Sequence, residues 1–243
     1  MIITEQDHTL RIGNASIPYA VKRGRPNRVR LSFSEDNQLW IETGTGQLGH
    51  FERDFLVSKS RWILRSYRNR LDEHDKKARF LAGLEHQVLL LGEETAIDYQ
   101  VAAETSFHYK VAGPFTVYAP ERFIREHRKA LIYQALRKFA EQYLPLRLEH
   151  WSEVTDLGFN RVRIKDLRSK WGSCSSRRNI NLNWQLVFLT EKLIDYVLVH
   201  ELMHLREMNH SPQFWKWVEK YCPDYKILRN QLKEVHWLVG ILK

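Results

Sequence analysis

His200, Glu201 and His204 occupy the first, second and fifth positions of His-Glu-Leu-Met-His, and His210 follows six residues later. Residues four apart lie on one face of a helix, so both imidazoles can reach a single ion while Glu201 points into the space beside it. Neutral imidazoles suit a borderline-soft divalent zinc ion, and an adjacent carboxylate can take a proton from metal-activated water. His210 is the third candidate ligand. At about 100° per residue it would sit roughly 240° around an unbroken helix from His204, so the chain must leave the helix first. Asn209 is suited to a left-handed helix stop, and Ser211-Pro212 reads as the N-cap and first position of a new helix. A plain core helix carrying two histidines would leave both Glu201 and a histidine at the turn without a purpose.

The elements that must position these residues can be read around them. The metal-bearing helix is expected to start after Thr190, its N-cap, with Glu191 in its first turn, and to run to about Arg206. Before it come a strand from Val162, the loop Ser169-Lys170-Trp171-Gly172-Ser173-Cys174-Ser175-Ser176, and a second strand over residues 180–189. Within this loop and just before it, Trp171, Gly172, Ser173 and Arg168 are candidate substrate-binding residues, since glycine permits close backbone approach. A helix over residues 122–144 precedes the strand pair; Pro145 ends or kinks it, and a second helical stretch closes at Gly158. After the site come a helix over residues 212–221 and an amphipathic stretch over residues 226–238. A peptide added to the free edge of this small sheet would lie across the metal.

The first 120 residues are β-rich with one amphipathic helix. Short strands are expected over residues 17–22, 29–33, 39–41, 88–91, 96–101, 107–111 and 115–118. The helix covers residues 52–77, with Phe55, Leu56, Trp62, Ile63, Tyr67 and Leu71 on its apolar side. The expected division is a β-rich region 1–120 and a site-bearing domain 121–243. No internal sequence repeat stands out.

With 243 residues, 43% hydrophobic, the chain can build a substantial core. It contains no apolar run long enough to span a bilayer and no secretory leader pattern, so the cytoplasm is the expected location. Two cysteines, Cys174 and Cys222, are too few for a disulfide framework. The net charge of +9 is uneven: residues 1–120 hold 16 Lys and Arg against 15 Asp and Glu, residues 121–243 hold 22 against 14. Arg161, Arg163, Lys165, Arg168, Lys170, Arg177 and Arg178 form the densest basic run, which reads first as a solvated basic face and otherwise as a field suited to an acidic protein substrate. A nucleic-acid-associated protein using this basic half is the alternative.

Four segments carry a family resemblance: Lys170-Trp171-Gly172-Ser173-Cys174, Ile180-Asn181-Leu182-Asn183-Trp184, residues 195–204 and residues 209–215. With them the chain resembles the YgjP-like zinc metallopeptidases, minimal zincins related to SprT-like proteases. The N-terminal half is similar to that family more weakly, most clearly over residues 55–62. The resemblance implies an α+β fold in which a zincin-like domain, a small mixed sheet packed on the HExxH helix, follows a β-rich N-terminal region. It further implies a zinc-dependent hydrolase of intracellular proteins, with one zinc per chain held by His200, His204 and His210 and with Glu201 as catalytic base. The family's common Arg before the Trp is Lys170 here, which keeps the charge but loses the planar fork. The histidine spacing also equals that of metzincins, but their glycine at the eighth position is replaced by Glu207. For the oxyanion of the reaction the candidates by residue type are Tyr196, Tyr221, Tyr225, His236 and Arg168.

Overall fold

A computed structural model describes residues 3–6, 8–110 and 113–242. The chain forms two compact units, residues 1–78 and 79–243. In the first, β1 (Ile3–Gln6), β2 (Thr9–Ile12), β3 (Ala15–Arg23), β4 (Arg30–Phe33) and β5 (Leu39–Thr43) make a sheet of order β1-β2-β3-β5-β4. Alternation sets its inner face: Leu10 and Ile12, Ile17 and Tyr19, and Leu39 and Ile41 are all buried. Helix α1 (His50–Gly83) supplies Leu56 and Ile63 to the same core. These two residues are seven apart, two turns along one helix face, and each contributes roughly 1.5–3 kcal/mol by leaving water. Trp62 and Leu71, expected on that face, are 39% and 40% exposed instead.

The second unit opens with β6 (Gln87–Leu90), β7 (Glu93–Val101), β8 (Ser106–Tyr109) and β9 (Phe115–Ala119), in a sheet of order β6-β7-β9-β8. The strand expected over residues 107–111 ends at Tyr109; Val111 lies outside the described residues. Helices α2 (Glu121–Glu126) and α3 (Arg128–Thr155) follow. Helix α3 continues through Pro145, and Glu141, whose carbonyl loses its usual donor there, is exposed. It is closed by Asp156 in the left-handed conformation (φ 54°, ψ 43°), not by Gly158.

The division falls at Ala78/Arg79 and not near residue 120. Its cause is shared burial: Val88, Leu90, Phe115, Val117 and Ala119 lie in one core with the residues of the metal-bearing helix. The β6–β7 turn also presses on that helix's start. A Cβ on Gly92 (φ +85°) would meet Thr190 Cγ2 at 2.4 Å, so only glycine fits there.

Next come β10 (Arg161–Lys165), β11 (Gly172–Cys174) and β12 (Asn179–Asn183) in a sheet of order β10-β12-β11. Part of the expected Gly/Ser loop is therefore an edge strand, antiparallel to β12 with Ser173 opposite Asn181. The strand expected over residues 180–189 stops at Asn183, and Trp184–Phe188 form a buried 3₁₀ turn. Asn183 makes the switch: its Oδ1 accepts from Gln185 N at 3.1 Å, while its Nδ2 donates to the carbonyls of Leu167 and Lys170. Helices α4 (Glu191–Met203), α5 (Pro212–Tyr221) and α6 (Tyr225–Glu234) complete the unit.

One connection pattern recurs. In β3, β4, β5 the third strand lies parallel to the first and antiparallel to the second; β7, β8, β9 and β10, β11, β12 repeat this. The chain thus uses one topology three times without a sequence repeat. No helix among the described residues is long and apolar enough to cross a membrane.

Candidate metal and active site

Helix α4 begins where the sequence places it. Thr190 Oγ1 accepts from Leu193 N, and Glu191 occupies the first turn. Most of its circumference is buried, including Ile194, the run from Tyr196 to Val199, and Leu202. Polar ties to α3 add to the apolar core that the two helices share: Arg147 donates to both carboxylate oxygens of Asp195 at 2.7 and 2.8 Å, and Tyr143 donates to Glu191 at 2.6 Å. The first turns of the helix are therefore fixed before any ligand is considered.

The helix ends at Met203, three residues earlier than expected, and residues 204–206 form a tight turn. Asn209 is not left-handed. Its Oδ1 instead accepts from Ser211 N at 2.9 Å, and Ser211 Oγ accepts from Phe214 N at 3.2 Å, so the turn is built from side-chain hydrogen bonds. This turn brings His210 back to the other two histidines. One ring nitrogen from each of His200, His204 and His210 lies within 4.8 Å of the others. His200 Nε2 and His210 Nε2 face each other at 3.0 Å. Two nitrogens at about 2.1 Å from a tetrahedral ion would be roughly 3.4 Å apart, so the pair is set close to a shared ion's requirement.

The donor chemistry fits a divalent metal. His204 Nδ1 lies 3.1 Å from the Glu207 carbonyl, which fixes that ring and leaves Nε2 for coordination. Burial pushes the His200 imidazole down to about 3, with His204, His210 and Arg229 adding to the effect, and burial also lowers His204. Both rings are then neutral near pH 7, the form that coordinates a metal. Phe214, fully buried, packs against all three imidazoles, with ring centroids 4.7–4.9 Å away. Trp215 stacks on His210 at 5.6 Å.

Glu201 is 5% exposed, and its Oε2 is buried without a hydrogen-bond partner. Burial raises its carboxyl to about 8, opposed by the charge of Lys170; a divalent cation held by the histidines would lower it and leave Glu201 ionised, as a base must be. A cavity of about 170 Å³ opens beside it, lined by Trp171, Gly172, Tyr196, Val197, His200 and Leu232 as well as Glu201. Of the candidate substrate-side residues, Trp171 and Gly172 therefore reach the site. Ser173 accepts from Asn181 Nδ2 at 3.2 Å on the neighbouring strand, and Arg168 is exposed and outside the cavity wall.

The oxyanion candidates separate in the same way. Tyr196 lines the cavity, and burial raises its phenol to about 12, so it stays protonated. Tyr225 is buried and stacks on Trp215 at 5.3 Å, and His236 packs on Trp171 at 6.4 Å. Tyr221 lies under the Lys220 ammonium at 5.0 Å, away from the cavity wall. Sequence reasoning missed Arg229. Its guanidinium lies 4.8 Å from the Trp215 ring, and its charge acts on both His200 and Tyr196. Leu232, one turn along α6, lines the cavity. The cysteines take no part in the histidine cluster: Cys174 and Cys222 are free thiols, both raised to about 11 by burial.

The basic run is divided among different tasks. Arg178 donates to the Gly158 carbonyl, and Asp166, the run's one acidic neighbour in sequence, is held by Arg137 at 2.9 Å and by the Trp184 indole. Arg161, Arg163, Arg168, Lys170 and Arg177 remain exposed.

An α+β unit with a buried HExxH helix and a third histidine on the following turn defines a zincin-like metallopeptidase, a peptide-bond hydrolase that works with a divalent metal. The YgjP-like metallopeptidase domain model matches residues 27–235, and the chain belongs to that family. Two solved structures are similar over part of the chain. One is the metallopeptidase zymogen of Pyrococcus abyssi abylysin, 28% identical, covering 38% of this chain and 94% of that one with a TM-score of 0.35. The other is the metallopeptidase zymogen of Methanocaldococcus jannaschii jannalysin, 21% identical, covering 37% and 96% with a TM-score of 0.33. No curated protein matches.

Proposed function

We propose that the chain is a zinc-dependent peptidase of cytoplasmic proteins, with His200, His204 and His210 as ligands of one zinc ion and Glu201 as general base. The observation that carries this is the pairing of three convergent imidazoles with a buried, unpartnered carboxylate oxygen on the same helix. When bound, the ion supplies Lewis acidity toward water and the scissile carbonyl. Glu201 takes a proton from the attacking water and delivers it to the leaving amine, as the new C–O bond forms and the C–N bond breaks.

The free edge of β11 aligns the substrate by strand addition, which brings its backbone past Gly172 to Glu201. Arg229 supplies positive charge to the oxyanion. The basic excess of residues 121–243 favours acidic protein segments.

The test is Glu201→Gln, assayed for zinc and for cleavage of unfolded protein. Zinc stays at one per chain and turnover disappears; retained turnover removes Glu201 from the role of base. His210→Ala weakens zinc retention, and unchanged zinc content would place the third ligand elsewhere.

A further inference from the structure

Two concavities lie side by side on the first unit, around the turn that joins β3 to β4. The smaller, about 160 Å³, is lined by Arg25, Arg28, Arg30 and Glu42. The larger, about 430 Å³, shares Arg28 and includes Pro26, Thr45, Phe51 and one acid, Glu52, whose carboxylate accepts from Gly49 N at 3.0 Å. The turn is closely held. A Cβ on Gly44 would lie 3.0 Å from Pro26 Cα, one on Gly24 would lie 3.1 Å from Glu42 Cβ, and Asn27 takes a left-handed conformation (φ 56°). The arginines therefore project from a packed turn.

Among the described residues their charge meets one acid, and that acid already has a closer partner. Glu42 is the one acid of the smaller concavity, and Lys22 Nζ holds it at 2.9 Å. That hydrogen bond keeps its carboxyl below the usual carboxylate range, and Arg30 and Arg28 act in the same direction. Arg25, Arg28 and Arg30 are all exposed and enter no ion pair among the described residues. Three planar guanidinium forks around a small concavity match the oxygens of a phosphate. Phe51, 68% exposed, presents an aromatic face in the adjoining concavity.

We propose that this double concavity binds single-stranded nucleic acid, with a backbone phosphate among Arg25, Arg28 and Arg30 and the attached base against Phe51. Arg28, common to both, links the phosphate to its base. An acidic peptide would satisfy the arginines but need carry no flat ring for Phe51, whereas every nucleotide joins a phosphate to a base. Phosphate pairing with sequence-tolerant stacking is the usual combination for single strands.

The experiment is fluorescence anisotropy of a labelled single strand of about 12 nucleotides with the full chain, over a salt series. Arg28→Ala and Arg25→Ala each weaken binding about 10-fold and make the salt dependence shallower by about one unit of slope. Phe51→Ala weakens it between about 5-fold and 150-fold, from a stacking contribution of about 1–3 kcal/mol per base. Arg28→Lys falls between wild type and Arg28→Ala, since it keeps charge without the fork. These side chains are exposed, so an unchanged unfolding midpoint and unchanged peptide hydrolysis control for folding. The proposal is overturned by any of three results: no binding at low salt, binding that none of these variants weakens, or displacement by polyglutamate as effective as by unlabelled oligonucleotide. Equal affinity for a mononucleotide would overturn the strand as ligand.

Discussion

The backbone of Gly172 lies directly against the carboxyl of Glu201. A Cβ at position 172 would stand 2.7 Å from Oε1, 2.8 Å from Cγ and 2.9 Å from Cδ of that side chain. Residue 172 opens the edge strand β11, so the sheet edge and the proposed base are brought together with no side chain between them. The glycine is needed for space, since its φ is not in the left-handed region.

Gly172→Ala should therefore displace Glu201 without touching the histidines. Hydrolysis is expected to fall about 100-fold, the scale of loss for a displacement near 1 Å at a reacting centre. Zinc content stays at one per chain. Steady-state kinetics and metal analysis on the same preparation check both halves; full activity would show that Glu201 has room to move.

Phe214 supports all three imidazoles, so its removal should act on the metal as well as on the fold. Phe214→Ala is expected to cost about 3–5 kcal/mol of stability, as for other fully buried phenylalanines. Phe214→Leu retains most of the packing while losing the flat ring surface. It should fold and bind zinc more weakly than wild type, by about 10-fold in a chelator competition, the scale of loss when a group that orients a ligand is changed. Unchanged affinity would mean that the turn at Asn209 to Ser211 alone positions His210.

Burial raises Cys222 to about 11, and it is 8% exposed, so its thiol should be unreactive at pH 8. Because the folded value lies above the ordinary thiol range, the stability linked to the protonated form is fully present below that range. It is lost as pH rises from there through about 11. Alkylation rates measured between pH 8 and the folded-state value in the native protein should rise steadily with pH. Cys222→Ala should leave zinc at one per chain; loss of zinc would make the thiol a ligand after all.

The convergence of the three histidines beside Glu201 was legible because it depends on residue type, on the four-residue spacing at the end of α4 and on a helix stop before His210. The start of α4 was legible for the same reason, since Thr190 caps locally. Features fixed by distant contacts were not. Trp171 to Ser176 has the composition of a turn, and β11 becomes a strand there only through pairing with β12. The apolar run after Asn183 reads as strand, yet the Asn183 side chain turns it into a 3₁₀ helix. Residues 79–120 look like more of the β-rich N-terminal region, and their membership of the second unit follows from the core they share. The recurring topology is likewise invisible in sequence, because pairing order leaves no residue signature.

Arg229 lies well beyond the histidine motif, on an ordinary amphipathic helix; it is exposed and outside the cavity wall, and packing on Trp215 brings only its charge to bear on His200 and Tyr196. Its guanidinium rests on Trp215, which stacks on His210, so its charge is held near the proposed metal. The ring contact itself contributes only about 0.5–1 kcal/mol to stability. If that charge serves the oxyanion, Arg229→Ala should lower kcat about 10-fold to 100-fold, with KM and zinc content little changed. Arg229→Lys should recover part of the loss, since the charge remains while the planar stacking on Trp215 is reduced. A rise in KM with kcat unchanged would instead assign Arg229 to binding a substrate carboxylate. Equal kcat and KM in wild type and Arg229→Ala would remove it from the reaction altogether.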